Sequence, residues 1–217
     1  MQSCGKKIKP LNLVMDTIIK TALISVFDKT GIVDFANFLT KQFGIKILST
    51  GGTATTLRNA GVYITDVSQF TTFPECFDGR VKTLHPKVHG GLLYQRDNQK
   101  HCERAEELGI MAIDLVVINL YPFRQIVVKP NVTPAETIEN IDIGGPSMLR
   151  SGAKNFEWVT VASDPKDYKR IEENMLENNG ATSRRLRLFL AKCVFQEVSD
   201  YDATIGTYLE GQYELQY

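Results

Sequence analysis

Thr21-Ala22-Leu23-Ile24-Ser25-Val26 and Ile45-Lys46-Ile47-Leu48-Ser49 are the stretches that decide the fold. Each is a short apolar run of the kind that forms a strand buried on both faces. Between them Ile32, Val33, Phe35, Ala36, Phe38 and Leu39 recur at helical spacing, ending near Gly44. Strand, helix, strand is the repeating unit of a parallel sheet.

Working outward, Gly51-Gly52 reads as a turn, Thr53 to Asn59 as a short helix closed by Gly61, and Val62 to Val67 as a third strand. Val88 to Tyr94 reads as a further strand, weakened by His89, Gly90 and Gly91. Lys100 to Leu108 is helical and stops at Gly109. Asp114 to Leu120 and Trp158 to Ser163 are apolar strands, and Asp164-Pro165 opens a helix. Thr182 to about Leu209 reads as one long helix or two, with Leu188, Ala191, Phe195, Val198 and Ile205 on one stripe. Arg184, Arg185 and Arg187 at its start read as a solvated or salt-bridged face. The expectation is an α/β fold: a three-layer, mostly parallel sheet with helices on both faces, plus a C-terminal helical extension. Residues 1–20 read as an appendage or leader, with Met15 as an alternative start. Residues 21–181 form the domain, and 182–217 the extension, packing on the domain or on a partner.

Composition narrows the function classes. The 217 residues are 43% apolar and 23% charged, ordinary for a globular protein. The 25 basic and 25 acidic side chains cancel, which argues against a nucleic-acid partner. No apolar run approaches the roughly 20 residues that span a bilayer. Cys4, Cys76, Cys102 and Cys193 are scattered and read as free thiols, so the expected compartment is the cytoplasm.

In an open α/β sheet, ligands bind beyond the carboxyl ends of the strands, so the loops there carry the chemistry. Ser25, Phe27, Asp28, Lys29 and Thr30 follow the first strand, and Asp28 or Thr30 can cap the next helix or meet a ligand. Ser49-Thr50-Gly51-Gly52-Thr53-Ala54 opens into a helix. Its glycines let backbone amides approach a ligand, and the helix start favours an anion, which is the logic of a phosphate cradle. Gly79-Arg80-Val81-Lys82-Thr83-Leu84-His85-Pro86 places two cations, a hydroxyl and a histidine in one irregular loop. His85 and His89 have metal-pair spacing, but Pro86 and the absence of further ligands argue against a metal. Asn119-Leu120-Tyr121-Pro122-Phe123 offers a tyrosine for the core or for the sheet's top edge. Asp142, between Ile141 and Ile143 and before Gly144-Gly145, suits either proton transfer from an apolar setting or an N-cap. Lys154 ends that helix, where a cation also complements the dipole. The set suits acid/base chemistry on a phosphorylated small molecule.

Ser25-Val26-Phe27-Asp28-Lys29-Thr30-Gly31, Ser49 to Ala54, Gly79 to Pro86, Asn119 to Phe123, Ile141 to Gly145 and Ala153-Lys154-Asn155 occur in that order. Together they resemble the N-terminal cyclohydrolase domain of the bifunctional purine-biosynthesis formyltransferase/IMP cyclohydrolase family. The resemblance implies a methylglyoxal-synthase-like, Rossmann-like fold. It also implies dehydrative closure of formamidoimidazole-carboxamide ribonucleotide to inosine monophosphate, without cofactor or metal. Thr50, Gly51, Gly52 and Thr53, with Lys29 nearby, would hold the phosphate. Ser25, Phe27, Asp28, Arg80, Val81, Thr83, Ile118, Asn119, Ile143, Gly144 and Gly145 would line the nucleotide site. Lys82, Tyr121, Asp142 and Lys154 would surround the reacting groups, with Asp142 and Lys154 sharing the proton traffic. Phe27 stands where many relatives have a serine. The resemblance further implies a homodimer, and a folate-dependent formyltransferase domain beyond Tyr217 that is missing here. Two alternatives share the cradle: a methylglyoxal-synthase-type lyase and a nucleotide-binding regulatory module. The lyase would not use the Arg80 to Pro86 and Asn119 to Phe123 motifs. The module would not need Lys82, Tyr121, Asp142 and Lys154 together.

Overall fold

A computed structural model describes residues 16–128 and 130–216. In chain order the elements are β1 (Thr17–Ile18), β2 (Thr21–Ile24), α1 (Ile32–Phe43), β3 (Lys46–Ser49), α2 (Gly51–Asn59), β4 (Thr65–Asp66), α3 (Val67–Thr71), α4 (Pro86–Leu93) and α5 (Gln99–Glu107). They continue with β5 (Leu115–Val117), α6 (Phe123–Ile126), α7 (Pro134–Glu139), α8 (Gly144–Lys154), β6 (Thr160–Ala162), α9 (Asp167–Glu177), β7 (Ala181–Thr182) and α10 (Arg184–Gln216).

The main sheet has five parallel strands in the order β4-β3-β2-β5-β6. Its register sorts the side chains into two layers. Leu23, Leu48, Val116 and Val161 lie in one row and pack with Val88 and Leu92 of α4, Met148 and Leu149 of α8, and Val194 and Val198 of α10. Ala22, Ile24, Ile47, Leu115, Val117 and Ala162 point the other way, onto Phe35 and Leu39 of α1, Leu57 of α2 and Ile171 and Met175 of α9. The central strands are buried and largely apolar because helices cover both faces, the expected three-layer arrangement.

Several elements differ from the sequence reading. Val88 to Leu93 is helical, with Tyr94 the extended residue that ends the helix: Pro86 takes the first position of α4, where its missing N–H costs nothing, and His85 caps the helix by accepting from Lys87 N at 3.1 Å. Helix α2 starts two residues early, at Gly51, and α8 starts at Gly144. Residues 17–20 are stitched into the fold. Strand β1 pairs antiparallel with β7, Ile19 is in the core, and Lys20 N donates to Asp114 Oδ2 at 2.8 Å. The rest of the expected appendage, residues 1–15, lies outside the described residues.

The C-terminal extension is one helix, α10, packed on α8, β6 and α6. Its arginines divide. Arg184 pairs with Glu157, as a salt-bridged face would. Arg187 instead is fully buried, donating from Nε to Phe156 O at 2.8 Å, from Nη2 to Glu157 O at 3.0 Å and from Nη1 to Thr182 O. Burial lowers its pKa to about 10. No helix among the described residues is long and apolar enough to cross a membrane.

Candidate active site

The carboxyl ends of β2, β3 and β5 open on a cleft of about 660 Å³. Its walls come from four places: the loop after β2, the start of α2, the segment between α3 and α4, and the stretch from the end of α7 to the start of α8.

The cradle is the start of α2. Thr50 adopts an extended conformation, and its hydroxyl does not cap the helix. The first amides of a helix have no intrahelical partner, so here they are available to a ligand. Gly51 has φ of +54°, a left-handed conformation that glycine adopts at least cost. Thr50, Gly52 and Thr53 line the cleft. The Thr53 hydroxyl, however, is occupied: it accepts from Val26 N at 3.0 Å and donates to Val26 O at 2.9 Å, clasping the β2 loop to α2. Lys82 Nζ stands 3.9 Å from where a Cβ on Gly51 would sit, over the mouth of the cradle.

The β2 loop is held from β5. Asn119 Oδ1 accepts from Phe27 N at 2.6 Å and Asp28 N at 2.9 Å, and Asn119 Nδ2 donates to Asp28 O at 3.0 Å. That clamp presents Ser25 and the Phe27 ring to the cleft. The ring lies 4.8 Å from that of Tyr121, tilted by 49°, and both are partly exposed. Asp28 neither lines the cleft nor caps α1, whose N-cap is Gly31; it closes a turn within the loop, accepting from Thr30 N at 2.9 Å. Lys29 folds back, donating to Val26 O and to Phe27 O at 3.1 Å, and burial lowers its pKa.

On the opposite wall, Arg80, Val81 and Thr83 line the cleft with Lys82. Arg80 pairs with Glu139 at 3.3 Å, both side chains solvent-facing. Ile118 forms part of the floor, and Ile143, Gly144 and Gly145 the far rim. Asp142 is half-buried there. Its Oδ1 accepts from Gly145 N, in the first turn of α8, at 2.8 Å, and it faces the cleft. Burial pushes its carboxyl above the usual range, while the Gly145 N–H and the Lys82 charge pull the other way.

Lys154 is not in this cleft. It ends α8, ten residues along the helix from Gly144, a rise of about 15 Å. It lines a separate groove with Arg150, Leu188, Lys192 and Phe195. The expected grouping of Lys154 with Lys82, Tyr121 and Asp142 therefore does not form within this chain. The histidines also part. His85 caps α4, and His89 Nδ1 meets Ser151 Oγ at 2.9 Å. Among the described residues no cluster of three His, Cys, Asp or Glu side chains could hold a metal.

Two contributors went unread in the sequence. Helix α7 brings Ile138 and Glu139 to the cleft. Its signal was legible as the capping box Thr133-Pro134-Ala135-Glu136, in which the Thr133 hydroxyl accepts from Glu136 N at 3.2 Å. The second is Tyr201 of α10, whose hydroxyl accepts from Asp142 N at 2.8 Å. Tyr201 and Tyr208 continue the spacing of Val198 and Ile205, but a stripe does not reveal which loop it meets.

Comparison with known proteins agrees with this architecture. The family model described as MGS-like domain matches residues 31–147, and the one described as AICARFT/IMPCHase bienzyme matches 152–217. The Bifunctional purine biosynthesis protein PurH of Chlorobium chlorochromatii (strain CaD3) is 57% identical over 197 residues, 91% of this chain and 37% of that protein. The protein of the same name from Leptospira biflexa serovar Patoc is 51% identical over 199 residues, 92% of this chain and 39% of its own length. The chain thus spans little more than a third of these curated relatives. A solved structure, the crystal structure of ForH, superposes with a TM-score of 0.78 at 36% identity, covering 87% of this chain and 97% of that one. This chain belongs to the MGS-like domain family.

Proposed function

We propose that this chain is an IMP cyclohydrolase, closing formamidoimidazole-carboxamide ribonucleotide to inosine monophosphate with loss of water. One observation carries the reading: a single cleft joins an uncapped helix start, with Lys82 above it, to a half-buried carboxylate and a tyrosine. Similarity to relatives named for purine biosynthesis supports a purine-pathway nucleotide as the substrate. The amides of Gly51, Gly52 and Thr53 take the 5′-phosphate, and Phe27 and Tyr121 form an aromatic wall for the planar base.

The reaction then needs little beyond placement. The carboxamide nitrogen attacks the formyl carbon of the same molecule, so holding both in contact supplies much of the rate. The new C–N bond places negative charge on the former carbonyl oxygen, which the Lys82 ammonium and Tyr121 hydroxyl stabilise. Asp142 accepts the proton that the carboxamide nitrogen loses and returns it to the oxyanion; the formamido N–H then gives up the second proton, which reaches that oxygen as the C–O bond breaks, the ring C=N bond forms and water leaves. Its raised pKa suits that exchange. Lys154 has no part in this scheme, because it lies at the far end of α8.

The unpaired thiols Cys76, Cys102 and Cys193 fit a reducing cytoplasm. A second copy of the chain is the partner we assign, docking on α10, where Leu188, Phe189, Phe195 and Leu209 are 40–46% exposed.

Purified chain should convert the formamido ribonucleotide to inosine monophosphate in chelator without added folate, followed by absorbance. Nucleotide binding without turnover would favour the regulatory module instead. Release of methylglyoxal from dihydroxyacetone phosphate would favour the lyase.

A further inference from the structure

We infer that Tyr201, on the long C-terminal helix, is a positioning residue that holds Asp142 and the Tyr121 loop in their working places. The inference rests on the cyclohydrolase reading, and its ground is the contact geometry around one side chain. Asp142 lies in the short connection between α7 and α8. Its carboxylate accepts from Gly145 N, which fixes one end of the residue. Its own amide belongs to no helix or strand, and it donates instead to the Tyr201 hydroxyl at 2.8 Å. The bond joins positions 59 apart in sequence, so it is tertiary and does not come with the local turn.

The same ring reaches the other functional loop. Tyr201 packs edge-on against Phe123, with centroids 6.2 Å apart and planes at 70°. Phe123 follows Tyr121 by two residues and is buried, and its N–H donates to Tyr121 O at 2.7 Å. Two further contacts keep α10 seated there: Tyr208 meets Phe123 at 5.7 Å, and Arg124 Nη2 donates to Thr204 Oγ1 at 3.3 Å. One side chain thus connects the loops that carry the proposed proton carrier and the proposed oxyanion donor. A buried tyrosine hydroxyl takes a hydrogen-bond partner, and here the partner is the amide of the residue whose placement the chemistry depends on. The contact also crosses the boundary between the two family matches, since Asp142 falls within residues 31–147 and Tyr201 within 152–217. The C-terminal segment therefore completes the site by holding it, without entering the cleft.

Tyr201→Phe in the full chain tests this, because it keeps the ring against Phe123 and removes only the acceptor. A loop freed by a fraction of an ångström loses near-attack geometry, so kcat should fall about tenfold while KM stays within about twofold. The Asp142 amide, followed by NMR hydrogen exchange, should exchange about tenfold faster, with the amides of β2, β3 and β5 unchanged. Wild-type kcat and wild-type exchange at Asp142 would overturn the inference. So would a loss of kcat that merely tracks a lowered melting temperature, with no selective change at Asp142. If wild-type chain fails to turn over the formamido ribonucleotide, the cyclohydrolase reading falls. The exchange measurement then still decides: unchanged protection at Asp142 refutes the positioning role, and a selective loss supports it.

Discussion

A Cβ added at residue 145 would stand 2.2 Å from Asp142 Oδ2 and 3.1 Å from a Leu120 methyl. Glycine there is what lets the carboxylate lie across the start of α8. Asp142 was legible in the sequence as either a proton carrier or an N-cap; the structure has its carboxylate accept from the Gly145 amide in the first turn of α8, and that amide sets where its charge sits. Gly145→Ala should separate activity from stability. Alanine is favoured over glycine in a helix by about 0.5–1 kcal/mol, which offsets part of the clash, so melting should change little. The carboxylate must move, and kcat should fall at least about tenfold. A Gly145→Ala chain with wild-type kcat would show that Asp142 need not occupy this position. Thr53 teaches the reverse lesson. Its type and place suggested a phosphate hydroxyl, but the Val26 backbone already uses that hydroxyl. Residue type near a cradle does not report which groups are already spent.

At the scale of elements, periodicity found what local spacing can encode. Helices α1, α5 and α9 and the existence of α10 were readable from apolar repeats and stop signals. Helix α4 was misread because its valine, leucines and paired glycines look like a weak strand, although Pro86 at the first helical position was the available clue. That Lys154 falls outside this chain's own cleft had an arithmetic clue: a helix from Gly144 carries it about 15 Å from its start. The docking of α10 had no local signal, because it depends on Arg187 finding carbonyls of residues 156, 157 and 182. Arg187→Met would keep much of the volume but leave those buried acceptors unpaired. The expected cost is about 3 kcal/mol, since each unmatched buried group costs roughly 1–3 and the neighbours relax in part. Denaturant unfolding followed by the fluorescence of Trp158, the chain's single tryptophan, would measure it. A loss under about 1 kcal/mol would mean that water reaches the site and α10 is anchored elsewhere.

For the whole molecule, layer structure was legible and strand order was not. Buried parallel strands announce themselves as apolar runs, but nothing near β2 says that it lies between β3 and β5. The cleft shares that limit, since its walls come from segments far apart in the chain, brought together by that order. Association belongs to this scale too. The first part of α10 carries Arg185 and Lys192 on its exposed face; the later part carries Asp200, Asp202, Glu210 and Glu214. Leu188, Phe189, Phe195, Leu209 and Tyr213 are exposed along it. Two copies related by a two-fold axis perpendicular to α10 would lay these helices antiparallel, basic end against acidic end, with apolar side chains between. Sedimentation should therefore report twice the 24.4 kDa chain mass. Phe195→Asp puts a charge into that apolar seam and should return the species to a monomer, with the melting transition of the sheet domain retained. A wild-type chain that sediments as a monomer at all concentrations would show that the exposed face of α10 serves something other than a second copy.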